Sequence, residues 1–267
     1  AIAQRNPWST SLSVSVLPSN NVNGGADDAT LTAPGNPDGT LSDDALALAG
    51  LRATLNFQTQ YRLHADAKSR TLFGLQYSGA RVRLGENAPL PDAAFDTDTT
   101  IVSLSHERVL PKGTVTITAT AGVSNYAQTS AGSQDLDFQK YDIVRIGANY
   151  RQPVNDRSEI GIGFQSERLT YLSAAIGEVD RNVFNASFSQ RLQSGDSWRA
   201  SISYADSDSV SANYQSETVT LQGSYNWKNP IGPVTLAVGA GVSWADYPAY
   251  RLLLPVTGGR QDTTLFY

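Results

Sequence analysis

The chain has 267 residues, a net charge of −5, and neither cysteine nor methionine. Without cysteine there are no disulfides, thiolate metal sites or Cys nucleophiles, and without a basic cluster nucleic acid is excluded as a partner. The longest apolar patch, at 46–51, falls far short of the ~18 residues a helical membrane span needs. The start at Ala1 without an initiator Met reads as a processed chain or a fragment, and no signal peptide is visible.

Taken in chain order, the signal is a period of two. Between Trp8 and Val16 the even positions carry Trp8, Thr10, Leu12, Val14 and Val16, with serine at every odd position. A long polar connection, 17–50, follows. From Leu51 to Leu63 the odd positions are Leu51, Ala53, Leu55, Phe57, Thr59, Tyr61 and Leu63, alternating with Arg52, Thr54, Asn56, Gln58, Gln60 and Arg62. In a strand such sets face opposite sides. A short turn at 65–69 leads to a weaker strand at 70–83, and a long connection at 84–97 leads to one at 98–110. After the turn Pro111-Lys112-Gly113, Thr114 to Val123 again sets Val115, Ile117, Ala119, Ala121 and Val123 against threonines and Gly122. The remaining strands are predicted at 139–152, 158–171, 181–193, 197–205, 216–228 and 234–244, with a short last one from Asp262. Long connections at 124–138, 172–180, 205–216 and 245–261 alternate with short turns at 153–157, 193–197 and 228–232, which carry the Pro, Gly, Asp and Asn that favour turn dihedrals.

About twelve strands, most near the 9–11 residues of a tilted membrane crossing, predict an all-β, antiparallel up-and-down transmembrane barrel spanning 1–267. Short turns belong to the periplasmic side of such barrels and long loops to the outside, so the N-terminus is expected in the periplasm of a bacterial outer membrane, with its lipids as partners. Aromatic placement is an independent indication. Trp8, Tyr61, Tyr150, Trp198 and Trp227 lie near the short-turn ends, and Tyr77, Phe164, Tyr204 and Trp244 near the other ends, all with apolar-face parity. Two such girdles suit a bilayer, whereas a soluble sandwich would carry its large aromatics nearer mid-strand.

The polar face is expected to line the lumen with Arg52, Arg62, Arg145, Arg151, Arg191 and Arg199, and with Glu107, Glu159 and Glu167. One reading is a charged constriction that selects solutes or guides an unfolded chain. The other is mutual pairing and solvation of interior charges. Only two histidines are present, His64 beside Asp66 at a short turn and His106 beside Glu107, so neither an enzyme nor a cofactor is expected. Asp27-Asp28, Asp43-Asp44, and Asp206 with Asp208 are placed in long loops as solvated charge, without a calcium-binding repeat. Asn185-Ala186-Ser187 matches a glycosylation sequon but falls in a strand.

The opening segment, Trp8 followed by Ser13-Val14-Ser15-Val16-Leu17-Pro18-Ser19-Asn20-Asn21-Val22-Asn23, resembles the start of the C-terminal barrel of the surface lipoprotein assembly modifier family. The stretch 250–267, where Gly259-Arg260-Gln261-Asp262 leads into the last strand, resembles the later part of that barrel. The resemblance in layout covers the whole chain and rests on short motifs. It implies a fourteen-stranded outer-membrane barrel that follows a periplasmic tetratricopeptide-repeat domain and helps deliver lipoproteins or related secreted proteins to the cell surface. About twelve strands, the last of them short, then read as a barrel truncated at both ends, and a chain closing with twelve strands is the alternative. A passive porin or polysaccharide-export barrel, and a surface-binding barrel acting through its loops, are the other functional readings.

Overall fold

The computed structural model describes residues 6–23, 26, 29–31, 39–41, 46–86, 88, 90–129, 136–172, 176–228, 236–249 and 260–266. Fourteen strands are present among them: β1 (Trp8–Ser19), β2 (Thr30–Leu31), β3 (Gly39–Thr40), β4 (Gly50–Ala65), β5 (Ser69–Leu84), β6 (Thr97–Leu110), β7 (Gly113–Thr129), β8 (Leu136–Asn155), β9 (Ser158–Tyr171), β10 (Glu178–Arg191), β11 (Ser197–Ser209), β12 (Ser216–Asn226), β13 (Ala237–Tyr247) and β14 (Arg260–Phe266). Twelve form one up-and-down sheet in the order β1-β4-β5-β6-β7-β8-β9-β10-β11-β12-β13-β14, with β1 and β14 at its ends. The small β2–β3 ladder lies apart, inside the first long connection.

The expected strands are therefore all present, and several are longer than alternation alone predicts. β11 runs to Ser209, so Asp206 and Asp208 lie in a strand rather than a loop. β7 and β8 extend into the connection drawn at 124–138. Two 3-10 turns, Asp92–Phe95 and Ala212–Tyr214, break up connections that read as irregular. Asp27, Asp28, Asp43, Asp44 and residues 250–259 lie outside the described residues.

The chain groups into two compact units: residues 1–61, 74–102 and 122–141, and residues 62–73, 103–121 and 142–267. In the first, β1 pairs antiparallel with β4 from Trp8↔Tyr61 to Ser19↔Gly50. This register sets Leu12 beside Phe57 and Val14 beside Leu55 on one face. On the other, the hydroxyls of Ser15 and Thr54 hydrogen-bond at 2.6 Å. Past β1 the chain folds against β5: Val22 is buried with Val82 and Leu84, and Leu48, Ala88, Leu90 and Phe95 pack around them. Asn23 holds this segment by donating to the Leu46 carbonyl (2.7 Å) and accepting from the Leu48 N–H (2.9 Å). The carboxylates of Asp96 and Asp92 accept from the N–H groups of Val82 (3.0 Å) and Leu84 (2.8 Å). The loop thereby satisfies the backbone at the end of β5, which buried polar groups require.

In the second unit β9 to β14 form continuous antiparallel ladders. The tight β10–β11 turn closes with Leu192 N–H donating to Asp196 O (2.8 Å). Gly195 occupies it at φ 91°, a conformation glycine adopts without a Cβ clash. The faces are sharply sorted. Leu12, Val14, Ile162, Phe184 and Val238 are each more than half exposed, and no large side chain is fully buried among the described residues. The apolar parity of the strands is thus an accessible surface.

Candidate functional site

The polar parity of β9 to β13 is built from small side chains. One row across the ladders reads Glu159, Ser189, Arg199, Ser224, Gly239, and the next Gly161, Ser187, Ser201, Gln222, Gly241. Every member is short, hydroxylic, amide or glycine except the two charged residues. Alternation had marked the polarity of this face, and its smallness was equally visible in the serines and glycines.

The structure brings some of the expected lumen residues together and leaves others apart. Arg145 on β8 donates through Nε to Glu167 on β9 at 2.7 Å, and Glu167 is buried. Glu107 on β6 pairs with Arg70 (3.1 Å) and with Arg151 (3.8 Å), so two guanidiniums share one carboxylate. Arg70 had not been singled out from sequence. Arg62 is half-buried, and Arg191 is exposed at the end of β10. Arg199 is also exposed. Neither Arg199, Arg52 nor Glu159 belongs to any ion pair found among the described residues. The polar face is therefore only partly self-neutralised.

The two histidines lie apart, each against a polar neighbour. His64 Nε2 lies 3.1 Å from Asp66 Oδ2, and Ser69 donates its hydroxyl to that same oxygen at 3.0 Å. The serine reaches the carboxylate, whereas a nucleophilic triad needs it on the imidazole. Asp66 also accepts from the N–H groups of Lys68 and Ser69, both at 2.7 Å. These donors hold its carboxyl far below the usual carboxylate range, the Lys68 N–H contributing most. Asp196 does the same work at the β10–β11 turn. It accepts from Lys228 N–H (2.9 Å), the Ser194 hydroxyl (2.7 Å) and the Tyr225 hydroxyl (3.0 Å), which lower its pKa in that order. His106 Nδ1 lies 2.9 Å from the Thr71 hydroxyl.

The ladder register orders the predicted interface aromatics into rows. Phe164 faces Phe184, an aromatic not among those expected from sequence, with ring centroids 4.8 Å apart; Phe184 faces Tyr204, Tyr204 faces Val219, and Val219 faces Trp244. Nearer the short turns, Trp198 stands opposite Tyr225, a residue the sequence reading had omitted. Trp198 donates Nε1–H to Gln190 (3.1 Å), and Tyr225 packs against Trp227 at 4.8 Å. Tyr150 donates to Gln152 at 3.0 Å. In the first unit Trp8 stacks on Tyr61 at 4.7 Å, and Tyr77 donates to Asp98.

Charges share the apolar parity only toward the long-loop ends of these strands and at the turn-side tip. Arg81 grips Asp98 with both carboxylate oxygens within 3.0 Å, and Arg168 grips Asp180 at 2.7 and 2.9 Å. Asp206, Glu217 and Asp246 stand side by side across β11, β12 and β13. Among the described residues no three His, Asp or Glu converge as a metal site. Of these charges only Asp206 is singled out from sequence, as loop charge, although the parity and strand-end position of the others carry the same signal. The chain matches no protein-family model and no curated protein.

Proposed function

We propose that this chain is an outer-membrane β-barrel of a Gram-negative cell, part of an export factor that helps deliver lipoproteins or related proteins to the cell surface. The observation that carries the membrane reading is the accessible apolar face, bounded by aromatic rows and then by charge. On β11 the charge-free interval of that parity runs from the turn residue Asp196 to Asp206. At ~3.4 Å per residue this is ~34 Å of strand, or ~26 Å of depth at a tilt of ~40°, close to the ~25 Å apolar band of such barrels. The short turns then belong to the periplasmic side. The export reading draws on the segment Trp8 to Asn23 and on the small polar face, across which an extended chain meets few bulky obstacles.

The four tryptophans of the chain are Trp8, Trp198, Trp227 and Trp244, all in the proposed girdles, which makes the membrane reading testable without labels. In liposomes, lipids brominated on their acyl chains should quench tryptophan fluorescence strongly. Emission indifferent to the brominated lipid rules out a spanning barrel. Export is tested by deleting the gene and following surface lipoproteins by protease shaving, where unchanged exposure sinks that reading. Arg199, which joins no ion pair among the described residues of the polar face, favours a second reading as a passive porin or polysaccharide-export barrel. Planar-bilayer recordings without a stable conductance count against it.

A further inference from the structure

We propose that the polar face of the second unit holds a binding site for a carboxylate carried on a polyol, that is, a sugar acid. A hollow of ≈ 280 Å³ opens there, with Arg151 and Arg199 as its cations. Glycine and serine make its floor. A Cβ built on Gly161 would lie 2.8 Å from Ser187 Oγ and at an ordinary contact distance, 3.7 Å, from Arg151 Cγ, so the bare glycine makes room for the serine hydroxyl beside the arginine stem. Its φ is not positive, and its role here is therefore space rather than backbone freedom. One row further, Ser189 separates Arg199 from Glu159 across two ladder spacings, ~10 Å between backbones. A small residue between two large charged ones leaves a slot of about one small molecule's width.

The charge pattern selects the ligand. Arg151 shares Glu107 with Arg70, and Arg199 is in no ion pair among the described residues, so the guanidiniums retain capacity for an anion. Guanidinium donors match a carboxylate in a bidentate fork. Glu159 would repel a simple dianion but accepts hydrogen bonds from hydroxyls, and the Asn149 and Asn185 amides can donate and accept. Thr116 also lines the hollow, with its hydroxyl oxygen closed to solvent and in no hydrogen bond among the described residues. Cations, one acceptor carboxylate and several hydroxyl partners together describe a hydroxylated monoanion. Tyr150 is the one aromatic residue lining this hollow among the described residues, so recognition rests mainly on polar groups.

The site is independent of the export reading and is tested without it. The full chain folded in detergent micelles is titrated calorimetrically at low salt with glucuronate, glucose and inorganic phosphate. Saturable millimolar binding of glucuronate, with none for glucose and weaker binding for phosphate, is expected. R199Q should weaken it at least tenfold, and R151Q comparably. G161A should weaken it by crowding the Ser187 hydroxyl, while R52Q should leave it unchanged. Arg199 has no ion pair to break among the described residues, so R199Q remains informative even where R151Q fails to fold. A polyglucuronate arm separates a free sugar acid from a polymer unit: binding of either supports the site, with the stronger one naming its source. No saturable glucuronate binding, equal binding of glucose or phosphate, or indifference to R199Q overturns the proposal. Loss of surface export in the deletion strain is read separately and can fail on its own.

Discussion

Asp66 illustrates how much a single surface carboxylate can organise. It takes two backbone N–H groups and the Ser69 hydroxyl within a four-residue turn and also meets His64. Its folded pKa lies below the ordinary 3.8, so its contribution to stability is full above that pH and is lost as pH falls from there through the folded value. Wild type should therefore resist denaturant better than D66N at neutral pH, and the difference should narrow on acidification below pH ~3.8. Denaturation midpoints of the two proteins across that range decide it, and a gap of constant size contradicts the assignment. Glycine positions give a second contrast. A Cβ on Gly122 would lie 2.5 Å from the Thr100 carbonyl oxygen and 3.1 Å from Ile101 Cα, both backbone atoms that cannot swing aside. A Cβ on Gly223 meets nothing closer than 3.9 Å. G122A should cost ~1–3 kcal/mol, as overpacking does, and G223A should fall within ~0.5 kcal/mol of wild type. Equal stabilities in parallel urea unfolding would remove the steric account.

Between strands the unit of argument is the cross-strand pair. Asp206, Glu217 and Asp246 are direct neighbours in the ladders, and like charges in that position repel. E217Q should stabilise the sheet by ~0.2–1 kcal/mol, and the gain should shrink at high salt because the pairs are exposed and screened. A variant no more stable than wild type at low salt argues that these side chains point apart. The ladders also explain what could be read from sequence. Strands such as β1 and β4 alternate so strictly that their faces and turn ends follow from parity alone. β11 was cut short because alternation stops at Ala205, where the strand leaves the apolar band while its backbone pairing continues to Ser209. The Val22 core was hidden because it joins residues from 22, 48, 82 and 95, and no local period reports such a meeting. Likewise Arg145 and Glu167 were both visible as polar-face charges, but their pairing depends on how β8 and β9 align. The short turns were legible through their own chemistry, as at Asp66 and Gly195.

For the whole molecule, the distribution of apolar surface distinguishes a chain that lives in lipid from one that lives in water. Ile202 and Ser203 are consecutive on β11 and face opposite sides; Ile202 is about half exposed, whereas Ser203 is half-buried among the small polar residues. In water an arginine at an exposed position is tolerated, and one forced into a partly buried small-residue site is the damaging change. In a bilayer the order reverses. Ile202 lies between the Trp198 and Tyr204 rows, near the middle of the apolar band, where an arginine costs ~2–4 kcal/mol, while a lumen-facing arginine remains hydrated. I202R should therefore fold into liposomes measurably less well than S203R, with both compared to wild type by equilibrium folding into vesicles of matched thickness. In detergent micelles, whose apolar layer is thin and deformable, the gap between them should narrow. Were I202R to insert as readily as wild type while S203R failed, the exposed face would be a water-facing or protein-docking surface, and the barrel reading would fall with it.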